Sequence, residues 1–408
     1  MIVAGGYYRE LCISPKHDDI FGSGGRAAFA IASAGTDVDW YYYCPESEQQ
    51  NVPVVLPSPR LRHHPQPSND LVSFTYFHPL SEPEYYPSDP CRHDNFLVEG
   101  TNILRFGFME GEAIVRGDKV VFDPQSPKEP SSFKANGSSA KTLAIVLNAQ
   151  EARVLGGDQN EYQAVRNIWK SEGASVVLVK SGPQGCRVFL DGEYRSSVPA
   201  YRTERVYKIG SGDIFSAAFT YYWAEKEWPP REAADAASRC VAHYCNSRLP
   251  SVLLDNETRS LEPIKVNDAD SRVYIAGPFF TMAELWLVEQ ACRALDGLGV
   301  SYFSPYHEAG LLRNHANRQT HQKEIERIVD ADLNGLRACK AVLAIFDGCD
   351  PGTIFEIGWA VRHEIPVVVL SQNPKASDQT MVRGSTNCSI CDDFASAIYR
   401  VAWAAWSR

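Results

Sequence analysis

Short apolar runs alternate with amphipathic stretches through most of this chain, a rhythm that predicts parallel sheets flanked by helices. In the first part the pattern predicts strands at Ile2–Ala4, Lys119–Phe122, Leu143–Leu147, Val176–Lys180 and Cys186–Leu190. Helices are expected near Gly25–Ala34, Glu151–Leu155, Asn160–Glu172 and Gly212–Trp223. Between Pro45 and Arg92 the chain is rich in Pro, Ser, His and Tyr, which suits an irregular lid or edge excursion. Periodicity fails again from Ser247 to Ser271 and then begins afresh. The second unit predicts strand Val273–Ala276, helix Ala283–Leu298, strand Ser301–Phe303 and helix Lys323–Ala338. Strand Ala341–Phe346, helix Thr353–His363 and strand Pro366–Leu370 follow. The fold class is α/β in two domains, 1–255 and 272–408, joined by a linker at 256–271.

At 408 residues the chain exceeds what one core organises, since domains run to about 100–200 residues. Forty Lys and Arg against fifty Asp and Glu give a net charge of -10, so no basic field is available for long nucleic acid. Small nucleotides remain possible, because a helix N-terminus binds phosphate whatever the overall charge. No basic stretch leads into an apolar run at the N-terminus, and no window reaches about 18 apolar residues, so a cytoplasmic protein without a membrane partner is expected. Eleven cysteines without a secretion signal argue for reduced thiols. Cys388-Ser-Ile-Cys391 has ligand-like spacing but no second pair near it, so it reads as two ordinary thiols and no direct metal-ligand motif is present.

In Phe346-Asp-Gly-Cys-Asp350-Pro-Gly-Thr-Ile-Phe-Glu356-Ile-Gly a strand ends, a turn follows, and a carboxylate enters the first turn of a helix. Ligands gather at the carboxyl ends of parallel strands. The helix N-terminus is expected to keep Glu356 ionised as a nucleophile at neutral pH, with Asp350 across the same pocket. Cleaving an N-glycosidic bond needs such a nucleophile and a second acid. Taken alone, an acidic loop before a helix is equally an N-cap, and Tyr274 in its strand equally a core tyrosine.

Tyr274-Ile-Ala-Gly-Pro-Phe-Phe280, Asp332-Leu-Asn-Gly and Asp350-Pro-Gly-Thr-Ile-Phe-Glu356-Ile-Gly-Trp-Ala together resemble the nucleoside 2-deoxyribosyltransferase family over about residues 272–390. The resemblance implies a flavodoxin/Rossmann-like parallel-sheet domain that needs no cofactor. By position, Glu356 matches the nucleophile, Tyr274 the hydroxyl that orients it, and Asp332 and Asp350 the acids near base and sugar. Gly277 and Phe279 fall at the substrate pocket. Gln379-Thr-Met381-Val-Arg-Gly384 is similar to a segment that relatives insert into a neighbouring subunit, with Met381 lining the neighbour's pocket. That implies a homo-oligomer with shared sites. Some relatives hydrolyse nucleoside 5'-monophosphates, and the Met381–Gly384 wording resembles those as much as the transferases. Bulky rings in Gly277-Pro-Phe-Phe, where an anion cradle would need small residues, lean towards a nucleoside.

In the first part, Ile209-Gly-Ser-Gly-Asp213 places two glycines and an acid at a helix start, where N–H groups can hold a transferring phosphoryl group. Any tight turn capping a helix can look the same. Gly24-Gly25, Asn148-Ala-Gln-Glu151 and Val177-Leu-Val-Lys-Ser-Gly-Pro-Gln-Gly185 precede it in an order that resembles the ribokinase-like (PfkB) sugar and nucleoside kinases over residues 1–250. This implies ATP and Mg2+ as cofactors, Asp213 as base, and Gly210, Ser211 and Gly212 as the anion hole. Asn148 and Glu151 would lie near metal and phosphates, and Gly24 and Gly25 at the substrate. Phe29 stands where the family has a substrate-binding asparagine, and Tyr207 where it has an acid. Two readings follow. Either the chain is a bifunctional nucleoside-processing enzyme that releases or exchanges a base and phosphorylates a sugar or nucleoside, or it is a nucleoside 5'-monophosphate N-glycosidase carrying a silent nucleotide-sensing or scaffolding module.

Overall fold

The computed structural model describes residues 1–125, 130–253, 260–267, 271–312, 318–373 and 379–407. Within it the chain forms two compact units, Met1–Pro263 and Ile264–Arg408. Residues 256–259 and 268–270 of the expected linker lie outside the described residues.

The first unit contains strands β1 (Ile2–Ala4), β2 (Arg9–Cys12), β3 (His17–Ile20), β4 (Val38–Cys44), β5 (Leu61–Pro67), β6 (Ser73–Tyr76) and β7 (Glu84–Tyr86). It continues with β8 (Phe96–Phe106), β9 (Ala113–Asp123), β10 (Ser139–Asn148), β11 (Val176–Lys180), β12 (Cys186–Leu190) and β13 (Glu193–Val198). Nine of these make one sheet in the order β13-β12-β11-β10-β9-β8-β1-β4-β5, parallel except for β12 and β13 at one edge. One face packs on helices Gly22–Ser33, Ser211–Thr220 and Pro230–Ser247, the other on Ala149–Gly156 and Glu161–Glu172, so the apolar runs are buried on both sides. The remaining four strands form a separate small sheet, β3-β2-β6-β7. Pro45–Arg92 is regular in part: it supplies an edge strand, β5, in keeping with an edge excursion, and half of the small sheet, with turns and irregular stretches between. Its polar composition reflects exposed faces, since β6 and β7 keep no fully buried residue.

The second unit has an all-parallel sheet of β14 (Val273–Ala276), β15 (Tyr302–Phe303), β16 (Ala341–Ile345), β17 (Val367–Leu370) and β18 (Cys388–Cys391). The order is β15-β14-β16-β17-β18, which is 2-1-3-4-5 within the unit and the flavodoxin-like winding. Strand order reverses between β14 and β16, and the loops leaving their carboxyl ends open the crevice expected of such sheets. The Cys388–Cys391 spacing proves to be a strand, with both thiols free. Helix Phe394–Trp406, which the apolar pattern did not predict, starts on an Asp393 cap and packs against β16 and β17. Among the described residues, no helix is long and apolar enough to cross a membrane.

Candidate active sites

In the second unit Tyr274 lies in the middle of β14, fully buried and stacked on Phe303 at 5.4 Å. Its hydroxyl nevertheless donates to Glu356 Oε1 at 2.5 Å. It is thus a core tyrosine whose hydroxyl also contacts Glu356. Glu356 lies in the second turn of helix Pro351–Arg362, not the first. The expectation that the helix end keeps it ionised is reversed: burial, with the charges of Asp332 and Asp350 added, pushes its pKa up to about 8 against the lowering hydrogen bond from Tyr274. Helix-end stabilisation fades beyond the first turn, and loss of water outweighs it. Asp332, on helix Arg318–Ala338, is also raised by burial, to about 6, and its Oδ1 is buried without a hydrogen-bond partner. Asp350 caps the helix, its Oδ2 accepting from Thr353 N at 2.8 Å and Thr353 Oγ1 at 3.0 Å. The cap and pocket readings are compatible, since that charge also acts on Glu356.

Gly277 follows β14 where a side chain would crowd Ile345, at 3.1 Å from its Cβ. Phe279 packs on Phe280 and Tyr306 at ring distances of 5.0 and 5.6 Å. Met381, in the short helix Thr380–Gly384, is 82% exposed, and Phe280 and Phe355 are also largely exposed.

In the first unit Gly210 caps helix Ser211–Thr220 with φ +77, a left-handed conformation that favours glycine. Asp213 in the first turn is buried, and both of its oxygens are held at 2.6 Å, Oδ1 by Gln125 Nε2 and Oδ2 by Arg26 Nη1. Arg26, itself 1% exposed, also grips both oxygens of Glu10 on β2. Burial opposes its charge, but Glu10, Tyr244 and Asp213 hold it firmly protonated. Gly24 and Gly25 serve close packing: a Cβ on Gly24 would meet Gly5 O at 2.1 Å, and one on Gly25 would meet Trp40 and Leu56 at 3.0 Å.

Around the glycine turn stand two lysines. Lys180 Nζ is 3.4 Å from where a Gly212 Cβ would be, and Lys208 Nζ is 3.2 Å from Ser211 Oγ. Lys180 pairs with Asp123 at 2.9 Å, and Ser216 Oγ donates to the same carboxylate at 2.6 Å. Asn148 and Glu151 form a capping box, Asn148 Oδ1 accepting from Glu151 N at 2.8 Å and Glu151 Oε2 from Asn148 N at 2.7 Å. The turn and its lysines fit a polyphosphate. The capping box engages one carboxylate oxygen of Glu151, which fits a hydrated Mg2+ held chiefly by nucleotide phosphates rather than a cage of side chains. Among the described residues, no three His, Cys, Asp or Glu side chains gather as a metal site.

Residues 273–388 match the family model described as nucleoside 2-deoxyribosyltransferase. Residues 113–252 match the pfkB family carbohydrate kinase. The two sequence resemblances thus hold, the second over a shorter stretch than 1–250. Among solved structures, the chain is similar to a pyrophosphate-dependent kinase in the ribokinase family complexed with a pyrophosphate analog and myo-inositol. That likeness has 16% identity and TM-score 0.45, covering 63% of this chain and 100% of that one. It is also similar to fructokinase from Vibrio cholerae O395 in a fructose, ADP and calcium ion bound form (14%, TM-score 0.46, 61% and 96%). A third is phosphofructokinase-2 from Escherichia coli in complex with substrates and products (13%, TM-score 0.44, 62% and 95%). No curated protein matches the chain.

Arg26, Glu10, Gln125, Asp123, Lys180 and Lys208 escaped the sequence reading. One signal was present: Arg26 is the single charge in the otherwise small and apolar run Gly22–Ser33.

Proposed function

We propose that the second unit breaks the N-glycosidic bond of a nucleoside or nucleotide, with Glu356 as nucleophile. The 2.5 Å hydrogen bond from the buried Tyr274 hydroxyl to Glu356 carries this reading, because it aims a desolvated carboxylate into the crevice where ligands bind such sheets. An oxygen of Glu356 attacks the anomeric carbon, and the C–N bonding electrons leave with the base. Asp332, raised to about 6, retains its proton on a fraction of molecules at neutral pH and supplies it to the departing base. Water or a second base then takes the glycosyl group and frees Glu356. The exposure of Met381 supports an oligomer in which that side chain completes a neighbour's pocket.

The test is incubation without ATP of ribo- and deoxyribonucleosides and their 5'-monophosphates, with and without an acceptor base, following free base beside Glu356→Ala. Release that the variant lacks supports the reading and names the substrate; no release from any member would sink it.

For the first unit, the hold of Arg26 and Gln125 on both oxygens of Asp213 favours a module that binds its ligand over a kinase for neutral sugars. Both oxygens of Asp213 are tied into buried contacts that taking a hydroxyl proton would disturb. Phosphate transfer from ATP to a pentose or nucleoside that Asp213→Asn abolishes would overturn this second reading.

A further inference from the structure

When the anomeric carbon of a nucleoside lies on Glu356, a 5'-phosphate is only a furanose ring and a methylene away, so it must fall among the strand ends that form the crevice of the second unit. Those ends are close together, because β14, β16 and β17 are neighbours in the sheet and adjacent strands lie about 5 Å apart. Backbone N–H groups at such ends, and at the helix starts beyond them, are the ordinary means of holding a phosphate. What they already hold bears on which sugar end the crevice accepts.

They hold the chain's own carboxylates. Beyond β14, the N–H groups of Phe280 and Thr281 both donate to Glu284 Oε2, at 3.1 and 2.8 Å, while Thr281 Oγ1 accepts from Glu284 N at 3.3 Å and caps helix Met282–Gly297. Beyond β17, Gln372 N lies 3.0 Å from each oxygen of Asp347, and Asn373 N donates to Asp347 Oδ1 at 3.0 Å. Asp347 itself follows β16, so it ties two neighbouring strand ends together. Asp350 takes Thr353 N at the start of helix Pro351–Arg362. The charges felt by Glu356 are likewise negative, those of Asp332 and Asp350. Arg327 acts on Asp332, but it is exposed and donates to Ala309 O at 3.0 Å. A phosphate dianion here would have to displace an internal carboxylate or stand against one, and like charges so placed oppose binding strongly. A 5'-hydroxyl meets no such opposition and can donate to a free lone pair of the same carboxylates.

We propose that Glu284 and Asp347 are specificity-determining residues of the second unit: by filling the N–H groups that would hold a 5'-phosphate, they restrict the substrate to nucleosides with an uncharged 5' end and turn away nucleoside 5'-monophosphates. This rests on the reading that Glu356 breaks an N-glycosidic bond in this crevice.

The full chain is given the nucleosides of the common bases, their 5'-monophosphates and their 5'-carbamates, which are bulky at the same position but uncharged, and free base is followed. The kcat/KM of a nucleoside is expected to exceed that of its monophosphate by about a hundredfold or more, with the carbamate closer to the nucleoside. Glu284→Gln and Asp347→Asn keep an acceptor for the same N–H groups and lose the charge, so each should narrow the ratio of nucleoside to monophosphate by about tenfold. A carbamate rejected as strongly as the monophosphate would make the barrier one of size and overturn the proposal. So would a wild type that prefers the monophosphate, or a ratio that neither variant changes. No base from any substrate would instead sink the reading of Glu356, and titration calorimetry with deoxyadenosine 5'-monophosphate then decides the present proposal. The first unit is the same in wild type and both variants, so a change in affinity belongs to the second. Tighter binding by the variants supports the proposal, and equal binding overturns it.

Discussion

Asp213 and Glu356 are both acids near the start of a helix, yet their surroundings give them opposite characters. Asp213 is compensated twice, by a guanidinium and an amide, and the guanidinium is itself shared with Glu10. Glu356 has one hydroxyl for a partner and two carboxylates for electrostatic neighbours. Burial alone therefore does not set the chemistry of an acid; the sign of what is buried beside it does. The first arrangement ties both oxygens into a buried ion pair that a hydroxyl proton would disturb. The second stores unfavourable energy in a group that gains from forming a neutral ester, as a nucleophile must.

The sharpest way to break the comparison is to remove each acid. Glu356→Gln is expected to lower base release by about a thousandfold or more, the scale on which an essential nucleophile acts. The same change should leave the protein as stable or more so. The folded pKa of Glu356 lies above its unfolded value, so its ionisation costs stability, and the cost grows as pH rises from the unfolded value towards about 8. Thermal unfolding of wild type and variant should diverge over that window, the variant melting higher at pH 8 than the wild type. Asp213→Ala should do the reverse, lowering the melting temperature of the first unit, because it strips Arg26 of one of two buried partners. Equal destabilisation by both would show that the two sites are alike.

The sequence made the central sheets legible because they are buried on both faces. Val176–Val179 and Val273–Ala276 are continuous apolar runs and Cys186–Leu190 is broken only by Arg187, and strands form at those places. By contrast β8, Phe-Leu-Val-Glu-Gly-Thr-Asn-Ile-Leu-Arg-Phe, mixes polar and apolar positions because one stretch of it is exposed, and it left no clear period. The small sheet was hidden for the same reason. Helix Phe394–Trp406 is apolar nearly all round, so no amphipathic stripe marked it. Of the sites, Tyr274 and Glu356 could be found through ordered motifs 82 residues apart in sequence. The raised pKa of Glu356 could not, since it depends on how much water the fold excludes. Nor could the Glu10–Arg26–Asp213 group, whose members come from three elements joined only by tertiary packing.

A smaller change tests whether the lone hydroxyl on Glu356 carries as much as its distance implies. Tyr274→Phe keeps the ring stacked on Phe303 and removes only the donor. A hydrogen bond to a charged group contributes about 1.5–3 kcal/mol, so kcat/KM should fall by roughly ten- to a hundredfold. The direction of the pH effect is fixed as well. The Tyr274 hydrogen bond lowers the pKa of Glu356, so its loss raises it, and the limb of the kcat/KM profile near pH 8 that Glu356 sets should move to higher pH.

The mildest test acts through charge alone. Asp332 raises the pKa of Glu356 because two negative charges in one poorly solvated site oppose each other, and above its own pKa of about 6 it is mostly ionised. Asp332→Asn removes that charge at nearly constant shape, so Glu356 should ionise at lower pH and the limb that it sets should shift down, opposite to Tyr274→Phe. If Asp332 also donates the proton to the leaving base, the wild-type rate must decline above about pH 8, where Asp332 has lost its proton, and Asp332→Asn must lower the plateau between about pH 6 and pH 8. The two consequences separate in one experiment. A shift without a lower plateau leaves Asp332 as an electrostatic neighbour only, and a lower plateau that vanishes for substrates with good leaving bases identifies it as the acid.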